Sequence, residues 1–208
     1  SDTEVLLYSF IEYGASCQDI LNGMWSFVIW DDKNKSLFLS RDPFGEKPVY
    51  YTFVDNNFFF GSEIKYLFSL SNKKKKINKN KINSFLFNGY KSIHNDRNTF
   101  FEEVVELPSG TSLKIDQNNN YKINTYFTKK KNNEILDFNL NEIIKKNKEC
   151  LIQSVDIRMR SDVPIAFCLS GGIDSGSLVS IASKILNKKV SCFSIIDSDD
   201  RYNEHRNI

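Results

Sequence analysis

The sequence predicts an α+β fold in the first part of the chain and an α/β fold with a parallel sheet in the second. Up to residue 128, apolar residues recur in short runs separated by turn residues, a pattern typical of antiparallel sheets. After the polar segment 129–133 the apolar residues take the spacing of a long helix, and a strand, a helix and a second strand follow. We therefore expect two domains, residues 1–128 and residues 129–208, each of them partial.

The first domain is predicted to begin with a helix and to continue through paired strands. Apolar residues at helical spacing indicate an amphipathic helix over residues 2–13, which Gly14 would close. Large apolar residues between turns predict further elements, namely a short helix over 61–67 and strands at 25–30, 37–40, 49–54, 58–60, 112–115 and 121–126. We expect the first four strands to form one antiparallel β-meander.

The second domain is predicted to contain a βαβ unit behind a long helix. Residues 140–159 have the spacing of an amphipathic helix. Strand 165–169, helix 177–186 and strand 190–195 then form the unit, in which the two strands run parallel. The run from Val163 to Leu169 carries no charge, so we expect its strand to be buried on both faces.

Composition argues against several functional classes. The 208 residues carry a net charge of +2, which gives no support to a role on nucleic acids or membranes. Four scattered cysteines without a C-x-x-C pair, together with only two histidines, argue against a common zinc site and against a disulfide framework. Free thiols fit a reducing compartment, and no run approaches 18 apolar residues. We expect a soluble, cytoplasmic protein.

One motif in the second domain carries chemistry. It is the loop Ser170–Ser175, with the sequence Ser-Gly-Gly-Ile-Asp-Ser, between the predicted strand and helix. This arrangement directs backbone N–H groups at an anion, and Gly171 and Gly172 allow a phosphate to approach closely. A Walker loop is excluded because no lysine ends the motif, and a dinucleotide fingerprint is excluded because the glycines are adjacent. An ordinary strand-to-helix turn stays open as the alternative.

The loop resembles the pyrophosphate-binding loop of the PP-loop ATP pyrophosphatases. Together with Asp162-Val163-Pro164 and Leu169, it is similar to the entry of the synthetase domain in glutamine-dependent asparagine synthetases. Five ordered blocks of the first domain resemble the latter part of a class II glutamine amidotransferase domain, which has an N-terminal-nucleophile sandwich fold. These blocks are residues 1–7, 22–31, 41–51, 62–65 and 106–110. The resemblance covers nearly the whole chain apart from its Lys/Asn-rich inserts.

The resemblance implies an ATP-dependent carbon–nitrogen ligase. In that family glutamine supplies ammonia through an internal channel, ATP adenylates the β-carboxylate of aspartate, and ammonia attacks the resulting β-aspartyl-AMP. The resemblance implies ATP and Mg²⁺ as cofactors and glutamine and aspartate as substrates. It implies no nucleic-acid or membrane partner and allows a homodimer. Two alternatives stay open: the same scaffold acting on a sugar acid or closing a ring, and a non-catalytic nucleotide-binding relative.

The resemblance assigns roles to few residues. Asp2 would hold the α-amino group of glutamine, with a helix N-cap as its structural alternative. Asp174 would bind Mg²⁺, because a carboxylate beside phosphates needs a cation between them. Ile195 would contact adenine, although a buried strand residue fits the pattern nearly as well. The implied ATP-binding residues are Leu169, Ser170, Gly171, Gly172, Ile173, Asp174, Ser175 and Ile195.

Other polar segments are predicted to be structural. The turn over 41–47 would hold a glycine in a special conformation and an internal ion pair among Arg41, Asp42, Gly45 and Lys47. Lys73–Lys76 would be a solvated surface loop, with a phosphate-binding patch as the alternative. The acidic residues after the last strand would form a second solvated loop, which contains Asp197, Asp199, Asp200 and Glu204. The resemblance offers an alternative, because members of that family carry an acidic residue near the nucleotide at this place.

The chain departs from the family at its nucleophile. The family uses an N-terminal cysteine, whereas this chain begins at Ser1, within a block that belongs well inside the domain. Cys17 is not terminal, so it has no α-amino group to act as its base. Gly176 replaces a second serine after the Asp-Ser pair. We therefore expect an internal fragment that is inactive on its own, with the aspartate-binding segments beyond Ile208.

Overall fold

A computed structural model describes residues 1–72, 74–93, 96–128 and 139–196. The chain divides into two units, Ser1–Lys131 and Asn132–Ile208. Each unit has a hydrophobic core of its own in its described part. None of the helices in these ranges is long and apolar enough to span a membrane.

The described part of the first unit contains helices and strands in mixed order. It begins with α1 (Asp2–Tyr13), a 3₁₀ turn (Gly14–Ser16) and the short α2 (Cys17–Ile20). The strands are β1 (Ser26–Asp31), β2 (Ser36–Arg41), β3 (Tyr50–Val54), β4 (Asn57–Gly61), β5 (Val105–Glu106), β6 (Thr111–Asp116) and β7 (Tyr121–Thr125). Between β4 and β5 lie α3 (Ile64–Ser71), α4 (Lys79–Asn88) and a second 3₁₀ turn (Tyr90–Ser92). The bounds of α1 confirm the prediction, and all six predicted strands of this unit are present.

The strands form two antiparallel sheets that face each other across the core. Sheet A has the strand order β1-β2-β6-β7, and sheet B has the order β4-β3-β5. Because side chains alternate between the faces of a strand, every second residue points into the space between the sheets. The buried residues of this space are Leu39, Val49, Tyr51, Leu107, Leu113 and Ile115.

A helix covers the outer face of each sheet. Phe38 of β2 points away from the inter-sheet core, and its ring centroid lies 5.2 Å from that of Phe10 in α1. On sheet B, α3 buries Leu67 and Phe68 against Val104. The first unit is therefore a sandwich with the layer order helix, sheet, sheet, helix.

The predicted β-meander is wrong, because β2 and β3 belong to different sheets. β2 pairs with β6, so that Leu39 lies opposite Leu113, while β3 pairs with β4 and β5. The physical reason lies at Asp42, which follows β2. Its N–H donates to the carbonyl of Trp25 at 2.9 Å, and its carbonyl accepts from the N–H of Gly110 at 2.9 Å. These bonds hold the corner in sheet A and prevent a hairpin, so the chain crosses to the other sheet.

The predictions omit helix α4, whose composition conceals it. Its lysines and asparagines give a weak apolar stripe, yet Asn78 caps it by accepting a hydrogen bond from the N–H of Lys81 at 3.1 Å. The Lys81 side chain is buried, and its ammonium lies 2.7 Å from the carboxylate of Asp96. Tertiary packing of this lysine, rather than local pattern, stabilises the helix. Residues 74–76 are exposed as predicted, while Lys73 lies outside the described residues.

The second unit contains a helix followed by a βαβ unit. Its elements are α5 (Leu140–Arg158), β8 (Ala166–Cys168), α6 (Ile173–Ser180), a π-helical turn (Ile181–Ile185) and β9 (Ser191–Phe193). β8 and β9 run parallel, with Phe167 opposite Cys192. The core of the unit buries Val155, Ile181 and Ala182, with Phe167 packed against them.

Two predictions for the second unit are wrong. Strand β8 is not buried on both faces: Phe167 is half-buried, but Ala166 and Cys168 are exposed because the described helices pack against one face only. Helix α6 begins at Ile173 rather than at residue 177. Gly172 is its N-cap, and an acidic residue in the first turn, Asp174, favours a helix start at this point.

Candidate functional site

The loop that follows β8 turns the chain sharply from strand to helix. The N–H of Leu169 donates to the carbonyl of Phe193 at 2.8 Å, which extends the pairing of the two parallel strands by one residue. Gly171 has a φ of 82°, a left-handed conformation in which any side chain would strain the backbone. Gly172 returns to an extended conformation and caps α6. The predicted loop Ser170–Ser175 is therefore a short turn together with the first turn of a helix.

Two serine hydroxyl groups close this turn. The Ser175 Oγ accepts a hydrogen bond from the N–H of Ser170 at 3.2 Å and donates to the carbonyl of Gly172 at 3.2 Å. The Ser170 Oγ lies 3.1 Å from the Ser175 Oγ and accepts from the N–H of Gly172 at 3.4 Å. The hydroxyls thus set the shape of the loop, and both side chains are held by the loop itself.

The first turn of α6 leaves its backbone N–H groups open. A helix gives no intrahelical acceptor to the N–H groups of its first residues, here Ile173, Asp174 and Ser175. The N-cap is Gly172, which has no side chain to accept from them, so no capping hydrogen bond forms. These N–H groups and the positive end of the helix dipole suit a phosphate. The absence of a cap fits an anion in this place.

Asp174 lies on the solvent side of the same turn. It is the second residue of α6 and its side chain is exposed. Mg²⁺ in nucleotide sites is held by one or two carboxylates and by the phosphates themselves. Within the described ranges no three His, Cys, Asp or Glu side chains form a metal-binding group. A single carboxylate beside the place that suits a phosphate therefore fits a metal ion that is bound mainly by the phosphates of the nucleotide.

Ile173 and Ile195 are exposed apolar side chains of the second unit. Ile173 is 86% exposed, and Ile195, which follows β9, is 99% exposed. The alternative that Ile195 is a buried strand residue is therefore wrong. The acidic residues predicted after it (197, 199, 200 and 204) lie outside the described residues.

Asp2 lies at the start of α1, beside a pocket of the first unit. The alternative that Asp2 is the N-cap is wrong, because Ser1 is the N-cap and forms a capping box with Glu4. Asp2 Oδ1 instead accepts from the N–H of Thr3 at 2.7 Å. Asp2 is an exposed residue and lines the pocket.

This pocket has a volume of about 590 Å³ and lies between α1, the segment before β1 and the corner after β2. Polar and charged side chains from distant parts of the sequence reach it. Its lining includes Asp2, Thr3, Asn22, Ser26, Lys47 and Ser62. Lys47 and Ser62 could not be predicted as neighbours of Asp2, because no local pattern indicates which loops the two sheets bring together.

The side chain of Asp42 organises the corner after β2. It is fully buried, and its carboxylate accepts hydrogen bonds from the N–H groups of Phe44 and Glu46 at 3.0 Å and of Lys47 at 2.9 Å. Burial alone would raise the pKa of Asp42, but the backbone hydrogen bonds from Lys47, Glu46, Phe44 and Gly45 outweigh it and hold the pKa below its ordinary value. The corner therefore places Lys47 at the pocket.

The ion pair predicted within this corner has a different partner. Arg41 pairs with Glu106 of β5, at 2.7 Å between guanidinium and carboxylate. The same guanidinium donates to the carbonyls of Lys47, Gly45 and Leu107 at 2.8, 2.9 and 2.6 Å. Gly45 has a φ of 70°, and a Cβ there would lie 3.1 Å from the guanidinium. The special glycine conformation is confirmed, and Arg41 joins sheet A to sheet B.

Replacing Asp42 by asparagine is expected to lower the free energy of unfolding by about 2 kcal/mol at neutral pH, because a charged acceptor of several N–H groups is lost. The folded-state pKa of Asp42 is lowered, so its contribution is present above the unfolded pKa and disappears as the pH falls through the folded value. The difference between the two proteins should therefore shrink below about pH 4. Urea titrations followed by the fluorescence of Trp25 and Trp30 at several pH values measure it.

Asp55→Asn is the matched control, since Asp55 lies exposed in a turn. It should change the free energy of unfolding by less than about 0.5 kcal/mol. A difference in free energy of unfolding between wild type and Asp42→Asn that stays constant down to pH 3 would contradict the role given to the Asp42 carboxylate.

A buried polar network supports the pocket from behind. Gln18 donates to the Ser112 Oγ at 3.5 Å and accepts from the Ser40 Oγ at 2.9 Å. The Ser40 Oγ in turn accepts from the indole N–H of Trp25 at 3.2 Å. Trp25 lines the pocket, so this network fixes one of its walls. No sequence pattern signals the network, because its members lie on separate elements.

Cys17 has the environment of a structural thiol. It is fully buried in the first unit. Burial, with a smaller contribution from the Asp19 carboxylate, raises the pKa of the Cys17 thiol. A thiol that stays protonated at neutral pH is a poor nucleophile, which agrees with the prediction that Cys17 is not the catalytic cysteine.

Comparisons with known proteins match both parts of the chain. Residues 1–127 match the family model described as a glutamine amidotransferase domain, and residues 146–207 match the one described as asparagine synthase. Asparagine synthetase [glutamine-hydrolyzing] 1 of Bacillus subtilis is 33% identical over 94% of this chain and 30% of its own length. Putative asparagine synthetase [glutamine-hydrolyzing] 2 of Methanocaldococcus jannaschii is 34% identical over 94% of the chain and 38% of its own length.

A relative that is named as an amidase also matches. Amidase chry2 of Gibberella zeae is 30% identical over 90% of the chain and 27% of its own length. The chain spans about a third of the length of the curated relatives it matches.

Proposed function

The chain belongs to the glutamine amidotransferase domain family, whose model its residues 1–127 match. From this premise, and from the match of residues 146–207 to asparagine synthase, we propose that the chain is a section of a glutamine-hydrolysing asparagine synthase. The whole protein would be an ATP-dependent carbon–nitrogen ligase. We place the boundary between its amidotransferase part and its synthetase part after residue 128. The division of the chain into units 1–131 and 132–208 supports this placement.

One observation carries the proposal for the synthetase part: the uncapped first turn of α6 directly after a parallel strand. The open N–H groups of Ile173, Asp174 and Ser175 would bind the pyrophosphate of ATP. Gly171 and Gly172 would let the phosphates approach the backbone, while Ser170 and Ser175 hold the loop in shape. The exposed side chains of Ile173 and Ile195, together with the half-buried Leu169, would form an apolar surface for the adenosine.

The reaction proposed for the whole protein activates a carboxylate. A β-carboxylate oxygen of aspartate bonds to the α-phosphorus of ATP, and the bond from that phosphorus to pyrophosphate breaks. Ammonia then bonds to the activated acyl carbon and AMP leaves. Bound Mg²⁺, held by Asp174 and the phosphates, would neutralise charge that builds up on pyrophosphate.

For the amidotransferase part we propose that Asp2 holds the α-amino group of glutamine. Asp2 is exposed and lines a pocket whose walls are both apolar and polar, which supports this role. We place the protein in the cytoplasm, where the four cysteines, which are free, would stay reduced.

A second candidate is an amidotransferase of the same scaffold with another acceptor carboxylate. The match to an amidase supports it. An intact loop with both glycines and Asp174 argues against a non-catalytic relative.

The test is pyrophosphate exchange into ATP by the whole protein, with aspartate compared with other carboxylic acids. Exchange that needs both aspartate and Mg²⁺ would support the proposal. Exchange with a different acid and not with aspartate would favour the second candidate. No exchange with any acid, in a protein that still binds ATP, would contradict both.

Replacing Asp2 by asparagine is expected to raise the KM for glutamine by about 10- to 100-fold, since a charge-assisted hydrogen bond is worth about 1.5 to 3 kcal/mol. Activity with free ammonia should not change, because ammonia does not need the site proposed for the α-amino group of glutamine. Steady-state kinetics of the whole protein with each nitrogen donor measure both quantities.

Glu12→Gln is the matched control, because Glu12 is an exposed acid at the other end of α1. It should leave both KM values unchanged. A parallel loss of ammonia-dependent activity in Asp2→Asn would indicate a structural role instead.

A further inference from the structure

Two asparagines of this chain are followed by glycine, and the two glycines differ in the hydrogen bonding of their backbone N–H groups. They are Asn22-Gly23, before β1, and Asn88-Gly89, at the end of α4. An asparagine followed by glycine is prone to deamidation, because no side chain shields the glycine nitrogen that attacks the amide carbon. Both asparagines are exposed, and a Cβ added at either glycine would meet nothing within 4 Å. Steric access is therefore equal at the two sites.

The backbone nitrogen of glycine distinguishes the two sites. The N–H of Gly89 donates to the carbonyl of Phe85 at 2.8 Å, at the end of the helix. This bond holds the nitrogen away from the Asn88 side chain. Among the hydrogen bonds of the described residues, none has the Gly23 N–H as its donor, and Asn22 and Gly23 lie outside helices and strands. The nitrogen at Gly23 is free to move onto the neighbouring amide.

We propose that Asn22 is a site of spontaneous modification, at which the chain converts asparagine to isoaspartate and aspartate while Asn88 is protected. The Gly23 nitrogen loses its proton and bonds to Cγ of Asn22. The bond from Cγ to Nδ2 breaks, and Nδ2 leaves as ammonia with that proton. Water then opens the resulting succinimide at either carbonyl, which yields aspartate or isoaspartate.

The conversion changes the pocket that contains Asp2. Asn22 lines this pocket, so either product adds a second carboxylate to its wall. Isoaspartate also lengthens the main chain by one carbon directly before β1. The modification therefore acts on both the charge of the pocket and the position of the strand that follows.

The experiment incubates the full chain in mildly alkaline heavy-oxygen water and maps its tryptic peptides by mass spectrometry. Trypsin separates the sites, since Asn22 is the only asparagine before the first lysine, Lys33, while Asn88 lies between Lys81 and Lys91. In the folded chain, we expect label to enter at Asn22 about tenfold faster than at Asn88, because the latter requires a helix-end hydrogen bond to open. In concentrated urea the two rates should become similar.

Asn22→Gln serves as the matched control, since it keeps an amide at this position but must form a larger ring. It should abolish labelling at residue 22 and leave Asn88 unchanged. The proposal is overturned by equal or faster labelling at Asn88 in the folded chain. It is also overturned if the rate of labelling at Asn22 is lower in the folded chain than in urea by the same factor as the rate at Asn88.

Discussion

Replacing Arg41 by methionine is expected to lower the free energy of unfolding of the first unit by about 3 to 5 kcal/mol, because a buried charge pair loses one partner. The Arg41 residue is only 8% exposed. Its removal leaves the carbonyls of Gly45, Lys47 and Leu107 without this donor and the carboxylate of Glu106 without its guanidinium. Methionine fills similar volume, so the loss reports polar contacts rather than a cavity.

Urea titration measures this loss, and both tryptophans report on the first unit alone. Arg97→Met is the matched control, because Arg97 is an exposed arginine that lines the same cleft as Arg41. This substitution should lower the free energy of unfolding by less than about 0.5 kcal/mol. An effect of Arg41→Met no larger than that of the control would contradict the role given to Arg41.

A double variant separates the two contributions. Adding Glu106→Gln to Arg41→Met removes the unpaired charge and should recover about 1 to 2 kcal/mol if that charge dominates the loss. No recovery would assign the loss to the three carbonyls.

Replacing Asp174 by asparagine is expected to lower aspartate-dependent pyrophosphate exchange by the whole protein about 100-fold or more, because the proposed Mg²⁺ that offsets phosphate charge would lose its proposed protein ligand. The direction of the effect on ATP binding should depend on Mg²⁺. With Mg²⁺ present the variant should bind ATP more weakly than wild type. Without Mg²⁺ it should bind equally or more tightly, because the carboxylate then only repels the phosphates. Calorimetric titration with and without the metal measures both.

Glu149→Gln is the control, as an exposed acid on α5 in the same unit. It should leave exchange and ATP binding unchanged under both conditions. Weaker binding of ATP by Asp174→Asn in the absence of Mg²⁺ would show that Asp174 supports the loop rather than the metal.

The local elements of this fold could be predicted because their signals are local. Helix α1 has its apolar residues at helical spacing, and the hairpin turn at 55–57 carries turn residues between two aromatic strands. The partner of β2 could not be predicted, because β3 and β6 have similar alternating patterns and pairing with either would satisfy them. The partner of β2 depends on Asp42, whose backbone forms hydrogen bonds with the residue directly before β1 and with the residue directly before β6.

The candidate sites were predictable to different degrees. The turn Ser170–Ser175 is contiguous, so its glycines and Asp174 could be identified directly, although its helical half could not. The pocket beside Asp2 joins residues that are up to 60 positions apart, such as Asp2 and Ser62. The pairing of Arg41 with Glu106 likewise depends on the approach of two sheets. Such neighbours are products of the tertiary fold.

The pairing of β2 with β6 has a consequence for synthesis on the ribosome. About 70 residues separate the end of β2 from the start of β6, so at a translation rate of about 5–20 residues per second the nascent hairpin β1–β2 waits roughly 4 to 14 s for its partner. During this interval the inner edge of β2 exposes unpaired N–H and carbonyl groups, which are a template for intermolecular pairing. The yield of native protein should therefore depend on elongation speed and on chaperones that bind the emerging chain.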